Sequence, residues 1–133
     1  KSYEDLKQSE LITFANAGKD NIDFVMVSHI SVPTILGNNT PCTLSYKMVT
    51  ECLRNDLGYD GIIITDAMGM GAISQNYTCE DSTLLAIEAG NDIILMPENF
   101  DTAYNAVLNA VKSGRITEGR VDESVKRILA AKM

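Results

Sequence analysis

The chain has 133 residues, 45% of them hydrophobic and 22% charged, and its 18 acidic against 11 basic residues leave a net charge of −7. That is enough for one domain with its own core and far short of a complete eight-stranded α/β barrel of roughly 250 residues. With no basic cluster, nucleic acid and anionic membrane surfaces are poor partners; no run reaches the ~20 apolar residues a membrane helix needs, and the three cysteines are spaced for neither a disulfide framework nor a zinc ribbon.

In chain order, Leu6, Leu11, Ile12, Phe14 and Ala15 recur at roughly helical spacing and predict one amphipathic helix from Tyr3 to Ala17, closed by Gly18. Phe24 to Val27 is a short apolar run that ends in Ser28 and His29, the pattern of a strand running into polar residues. The segment Ser31 to Ser45, rich in Pro, Gly, Asn and Thr, has neither period and reads as a long loop of the kind that binds ligands. Ser45 then caps a helix over about Tyr46 to Leu57, whose apolar face is Met48, Val49, Cys52, Leu53 and Leu57, with Gly58 closing it. Cys42, Cys52 and Cys79 read as small buried thiols.

The next stretch, GYDGIIITDAMGM from Gly58 to Met70, holds the strongest signal. Ile62 to Thr65 form a strand apolar on both faces, as in a parallel sheet, and a carboxylate, Asp66, follows directly. The crevice at the carboxyl ends of such strands is where α/β proteins place their chemistry, so Asp66 stands where a catalytic group would stand. The alternative is a helix N-cap or a turn residue that bonds its own backbone.

Beyond Asp66 the chain is small and flexible to about Tyr77. Thr78 with Asp81 has the form of a capping box for a helix running to Gly90. Asp92 to Pro97 predicts a third strand, ending in Glu98 and Asn99. Thr102 to Ser113 predicts a helix stopped by Gly114, and Val121, Val125, Ile128 and Leu129 make one stripe of a terminal helix. The fold class expected is therefore α/β: parallel βα repeats in the order αβαβαβαα, three strands with four to five helices and right-handed crossovers, in one domain over residues 1–133.

GYDGIIITDAMGM, together with VMVSHISVP (Val25–Pro33), TLS (Thr43–Ser45), AGNDIILMP (Ala89–Pro97) and GRITEGRVDESVKRIL (Gly114–Leu129), resembles glycoside hydrolase family 3, in particular its branch of β-N-acetylhexosaminidases. The similarity runs from about Tyr3 to Lys132. It implies a (β/α)₈, or TIM, barrel in the complete protein, of which this chain resembles the last part, strands six to eight with their helices. It also implies that Asp66 is the nucleophile of a retaining glycosidase, forming a covalent glycosyl intermediate while a second group about 5 Å away serves as acid and then base. In that branch the acid/base is a His paired with an Asp on a loop preceding everything present here; in the glucosidase branches it is a Glu in a later domain.

His29, the sole histidine, belongs to a different block and does not take the acid/base role. It is read either as structural or as lining the sugar pocket. Met70 is read as packing against substrate or filling a gap, Arg54 as an outward solvated helix residue in preference to one that reaches a carboxylate or a ligand, and Glu98 as a helix N-terminal charge rather than a second catalytic carboxylate. Asn38 with Thr40 and Asn76 with Thr78 match glycosylation acceptors. The partner implied is a saccharide bearing N-acetylglucosamine, with no metal or organic cofactor required. Exposed strand edges and apolar faces predict that the chain taken alone either forms homo-oligomers or rearranges into an open three-layer sandwich. Lacking the acid/base, it is expected to be a non-catalytic unit. The sequence starts at Lys1 without Met, and either a bacterial cytoplasmic or a secreted or cell-surface location fits it.

Overall fold

Two short strands organise the chain: β1, Phe24–Val27, and β2, Ile62–Thr65, pair in parallel with Phe24 opposite Ile62 and Val27 opposite Thr65. The structure, a computed structural model, describes residues 1–133. In β2, Ile62, Ile63 and Thr65 are buried, as a strand without a polar face requires. In β1 only Val25 is buried, while Phe24 and Met26 point to the other face and are half exposed. The α/β class with parallel strands is thus present, with one correction to the strand count.

The expected third strand, Asp92 to Pro97, makes a single parallel bridge, Ile93 to Ile64, so the sheet proper has two strands. The chain does run beside β2: Thr65 N–H donates to the Ile93 carbonyl at 3.1 Å, and both Asp92 and Ile93 donate to the Ile63 carbonyl. The ladder then stops because Leu95 N–H donates to the Thr65 side-chain hydroxyl (2.9 Å) instead of a backbone oxygen, and Met96 turns away with φ of 44°. A hydroxyl in place of a carbonyl breaks the periodic pairing that defines a strand.

The first expected helix is two. α1, Tyr3–Lys7, begins with a complete capping box between Ser2 and Asp5, and α2 spans Ile12–Lys19. Between them Ser9 Oγ donates to the Asp5 carbonyl at 2.6 Å, a side-chain bond that competes with the helical ladder. Gly18 is inside α2 and is not a cap. A Cβ there would come within 3.2 Å of the Gly58 carbonyl oxygen, so it permits close packing of helix on loop.

The loop expected over Ser31–Ser45 contains a short helix, α3 (Pro33–Leu36), an antiparallel bridge between Ser31 and Pro41, and a 3₁₀ turn at Cys42–Leu44. Ser45 does act as a cap, accepting from Met48 N–H at 3.3 Å, but the element it caps, Lys47–Asp56, is a π-helix rather than an α-helix. The buried residues of that helix are Val49, Cys52 and Leu53, and Gly58 ends the turn in the left-handed region with φ of 68°. After β2 come α4 (Gly71–Ser74), α5 (Cys79–Ala89), α6 (Phe100–Ser113) and α7 (Glu118–Lys132). Thr78 caps α5 through Asp81 N–H without the reciprocal half of a capping box, and α6 starts two residues before the expected Thr102, capped by Asn99.

α7 differs most from its expected packing. Of its residues only Ser124 is buried, while Val125 and Leu129 of the predicted stripe are 44% and 53% exposed. Val121 at its start packs against Leu84, Ala106, Ala110 and Ile116, and the rest of the helix docks through polar groups. Arg120 donates to the carbonyls of Ile87 and Asn91 and to Ser124 Oγ, and Ser124 and Arg127 both donate to the Asp92 carboxylate.

The largest apolar cluster lies between the sheet and the π-helix: Ala17, Val25, Val49, Leu53, Tyr59, Ile63 and Ala89. Leu44, Met68, Ile73 and Ala86 form a second cluster beneath the loop that follows β2, and Leu84, Ala106, Ala110 and Ile116 a third between α5 and α6. No helix is long and apolar enough to cross a membrane.

Candidate functional site

Asp66 extends the parallel ladder by one rung, its N–H donating to the Val27 carbonyl at 3.0 Å, and so sits at the carboxyl end of β2 beside the end of β1. It does not cap the next helix, since α4 starts at Gly71 after Met70. Its Oδ1 accepts from the N–H of the adjacent Ala67 at 2.7 Å, while Oδ2 makes no hydrogen bond to the chain and is not a buried orphan. The local turn and an available carboxylate oxygen therefore coexist in one residue. One oxygen is held by the turn; the other has no partner in the chain.

The segment after Asp66 is gripped from two sides. Met68 N–H and Gly69 N–H donate to the carbonyls of Leu95 and Met96, at 2.9 and 3.2 Å. From the β1 side, His29 places Nε2 at 2.9 Å from the Ala67 carbonyl and Nδ1 at 2.9 Å from Thr43 Oγ1. A carbonyl can only accept, so Nε2 carries a proton. Thr43 is fully buried, and its hydroxyl oxygen lies within hydrogen-bond distance of Nδ1 and of the Ser28 and Val27 carbonyls, at 2.8 and 3.1 Å. Its one proton goes to Nδ1 when that nitrogen is bare and to a carbonyl when it is protonated.

His29 also borders a polar cleft of about 540 Å³ with Ser31, Asn39, Thr40, Asn76 and Tyr77 around it. Neutral hydrogen-bonding groups and one aromatic ring are suited to a hydroxyl-rich, uncharged ligand. Asp66 and Met70 do not border this cleft. Met70 is 47% exposed, and the methionine that fills a gap in packing is Met68, which is 2% exposed. Glu98 is exposed and precedes the Asn99 cap of α6. Asn38 and Asn76 are exposed, Asn38 accepting from Thr40 N–H at 2.9 Å.

Two expectations about individual side chains are corrected. Arg54 is not outward and solvated: its guanidinium donates to the carbonyls of Tyr59 and Gly61 and to the Asp92 carboxylate at 2.9 Å, with its side chain only 13% exposed. Burial, reinforced by nearby Arg127, pushes it below the usual guanidinium value, and Asp92 pulls it back. Of the thiols, Cys52 is buried but Cys42 and Cys79 are partly exposed; burial pushes Cys42 and Cys52 up from the ordinary thiol value. No group of three His, Cys, Asp or Glu side chains is arranged to hold a metal.

Sequence patterns single out neither Thr43 nor Asp92 nor Met96. Met96, at φ of 44° for a non-glycine residue, shapes the turn whose carbonyl receives Gly69. Strain of this kind collects at functional sites. The signal for Asp92 is present in outline, an acid opening an apolar run, but its partners come from elements far apart in sequence.

The fold as a whole is shared with known proteins. A β-N-acetylglucosaminidase of glycoside hydrolase family 3 from Paenibacillus sp. str. FPU-7 superposes with a TM-score of 0.93 at 41% identity, over 99% of this chain and 26% of that one. The β-hexosaminidase A of Pseudoalteromonas piscicida is 28% identical over 96% of this chain and 25% of its own length, and a lysosomal β glucosidase of Dictyostelium discoideum is 32% identical over 93% of this chain and 14% of its own. The chain thus spans about a quarter or less of the length of these relatives. Residues 1–131 match the family described as the glycosyl hydrolase family 3 N-terminal domain, and the chain belongs to that family.

Proposed function

We propose that residues 1–133 are the C-terminal portion of a family 3 catalytic barrel, and that the whole protein is a retaining glycosidase that releases terminal β-linked N-acetylhexosamine, with Asp66 as nucleophile. The observation that carries this reading is the state of the Asp66 carboxylate: at a strand end, Oδ1 anchored by Ala67 N–H and Oδ2 available. The similarity to a β-N-acetylglucosaminidase at 41% identity supports the choice of sugar.

In the first step Oδ2 attacks the anomeric carbon, the bond from that carbon to the aglycone oxygen breaks, and an acid from outside these residues protonates the departing oxygen. Water, deprotonated by the same group, then attacks the glycosyl ester and restores the Asp66 carboxylate. His29 and Met70 are the residues of this chain proposed to flank the substrate, His29 by contact of its ring rather than through a ring nitrogen, since both nitrogens are held by the chain. A second reading, hydrolysis of β-glucosides, draws on the β glucosidase relative from Dictyostelium discoideum and on a Cellulomonas fimi relative described as a β-N-acetylglucosaminidase/β-glucosidase.

The test is turnover of p-nitrophenyl β-N-acetylglucosaminide by the complete protein, beside the β-glucoside, for wild type and Asp66→Ala. Cleavage of the N-acetyl substrate, reduced by several orders of magnitude in the variant, is the expected result. An active Asp66→Ala protein overturns the assignment of the nucleophile, and preference for the glucoside favours the second reading.

A further inference from the structure

We infer that His29 is a positioning residue: its Nε2–H holds the Ala67 carbonyl and thereby sets the orientation in which Asp66 presents Oδ2 for attack. This rests on the reading of Asp66 as nucleophile. Both imidazole nitrogens are already engaged by the chain, Nε2 with Ala67 and Nδ1 with Thr43, each at 2.9 Å. A ring so occupied has no nitrogen left to bind a sugar hydroxyl directly.

What the ring does hold is the peptide unit on which the nucleophile depends. Ala67 is fixed at both ends, its N–H on Asp66 Oδ1 at 2.7 Å and its carbonyl on His29. The other end of the 67–68 peptide, Met68 N–H, is fixed by the Leu95 carbonyl at 2.9 Å. Without the His29 bond the Ala67 carbonyl keeps only Met70 N–H, at 3.2 Å and from within the same turn. The turn then keeps its N–H attachments to Val27, Leu95 and Met96 but has nothing outside itself holding the Ala67 carbonyl. The peptide between Asp66 and Met68, and the Ala67 N–H that orients the Asp66 carboxylate, can therefore tilt. Thr43, fully buried, supports the ring from behind with its hydroxyl 2.9 Å from Nδ1. Orientation at this level matters because a displacement of about 1 Å at a reacting group costs on the order of 10²-fold in rate.

The experiment uses the complete protein and two amide variants of different reach. The side-chain nitrogen of His29→Gln stands near Nε2 and keeps the bond to Ala67; that of His29→Asn stands near Nδ1 and keeps only Thr43. The readout is the rate at which 5-fluoro-β-N-acetylglucosaminyl fluoride esterifies Asp66, followed by intact mass and peptide mapping, with the affinity for free N-acetylglucosamine measured alongside. Expected are labelling by His29→Gln within about threefold of wild type and labelling by His29→Asn slower by about tenfold or more, a difference larger than any change in sugar affinity between the two. Equal labelling rates in the two variants overturn the inference, as does a loss of sugar affinity that accounts for the slower labelling. A wild-type protein labelled somewhere other than Asp66 overturns the nucleophile reading itself, and this inference with it.

Discussion

At Asp92, one carboxylate with no exposed side-chain surface accepts from Arg54 Nη2 and Arg127 Nη1 at 2.9 Å, from Ser124 Oγ at 2.6 Å and from Ile63 N–H at 2.9 Å. Its burial is tolerable because two cations and two neutral donors surround it, leaving neither oxygen without a partner. Removing it strands Arg54 largely out of water with no counter-charge. Asp92→Ala is therefore expected to lower the stability of the protein by about 3–5 kcal/mol in urea unfolding. A loss below about 1 kcal/mol would show that water replaces the carboxylate without difficulty. Asp66 makes the contrast: two acids, each next to an apolar strand segment, one saturated with partners and one holding an oxygen in reserve.

At the scale of elements, the junction between the π-helix and α5 rests on Gly90. Thr50, from the π-helix, donates to the Ala89 carbonyl at 2.7 Å, and a Cβ on Gly90 would lie 2.3 Å from that hydroxyl. The residue also has φ of 117°, where any L side chain is strained. Gly114, at the end of α6, is left-handed too, with φ of 81°, but nothing lies within 4 Å of its added Cβ. Gly90→Ala is accordingly expected to cost about 1–3 kcal/mol and Gly114→Ala less, because only the first adds a steric conflict to backbone strain. Equal shifts in thermal midpoint for the two variants would reject the role assigned to the Thr50 contact.

Across the whole molecule, one face of the sheet and one flank of the helices carry apolar side chains with no cover. Phe24 and Met26 are half exposed on β1, Met96 is 68% exposed, and Phe100 and Tyr104 border an apolar groove of about 370 Å³ between α6 and the segment after Ile93. The outer edge of β1 also pairs with no strand, whereas that of β2 is covered by the segment from Asp92 to Leu95. The chain expressed alone is expected to self-associate: light scattering at tens of micromolar should give a mass above the 14.5 kDa of one copy. A strictly monomeric solution would mean that these faces rearrange and cover themselves.

The sequence alone was sufficient for the parallel α/β class, the strand of Ile62–Thr65, the place of Asp66 at its end, the caps at Ser45 and Thr78, and the family. The family followed from the resemblance of five ordered blocks; the others depend on local signals: an unbroken apolar run, a side chain three residues from a backbone N–H, a glycine able to take positive φ. Tertiary structure decided the rest. Whether Asp92–Pro97 completes a ladder turned on the Thr65 hydroxyl, whether Arg54 is solvated turned on a carboxylate 38 residues away, and whether α7 docks by its apolar stripe turned on the buried Asp92. So did the grip of His29 on Ala67, which spans the same 38-residue separation. Periodicity records which faces are apolar; it carries no record of which distant donor meets which acceptor, because that is settled only when the elements pack.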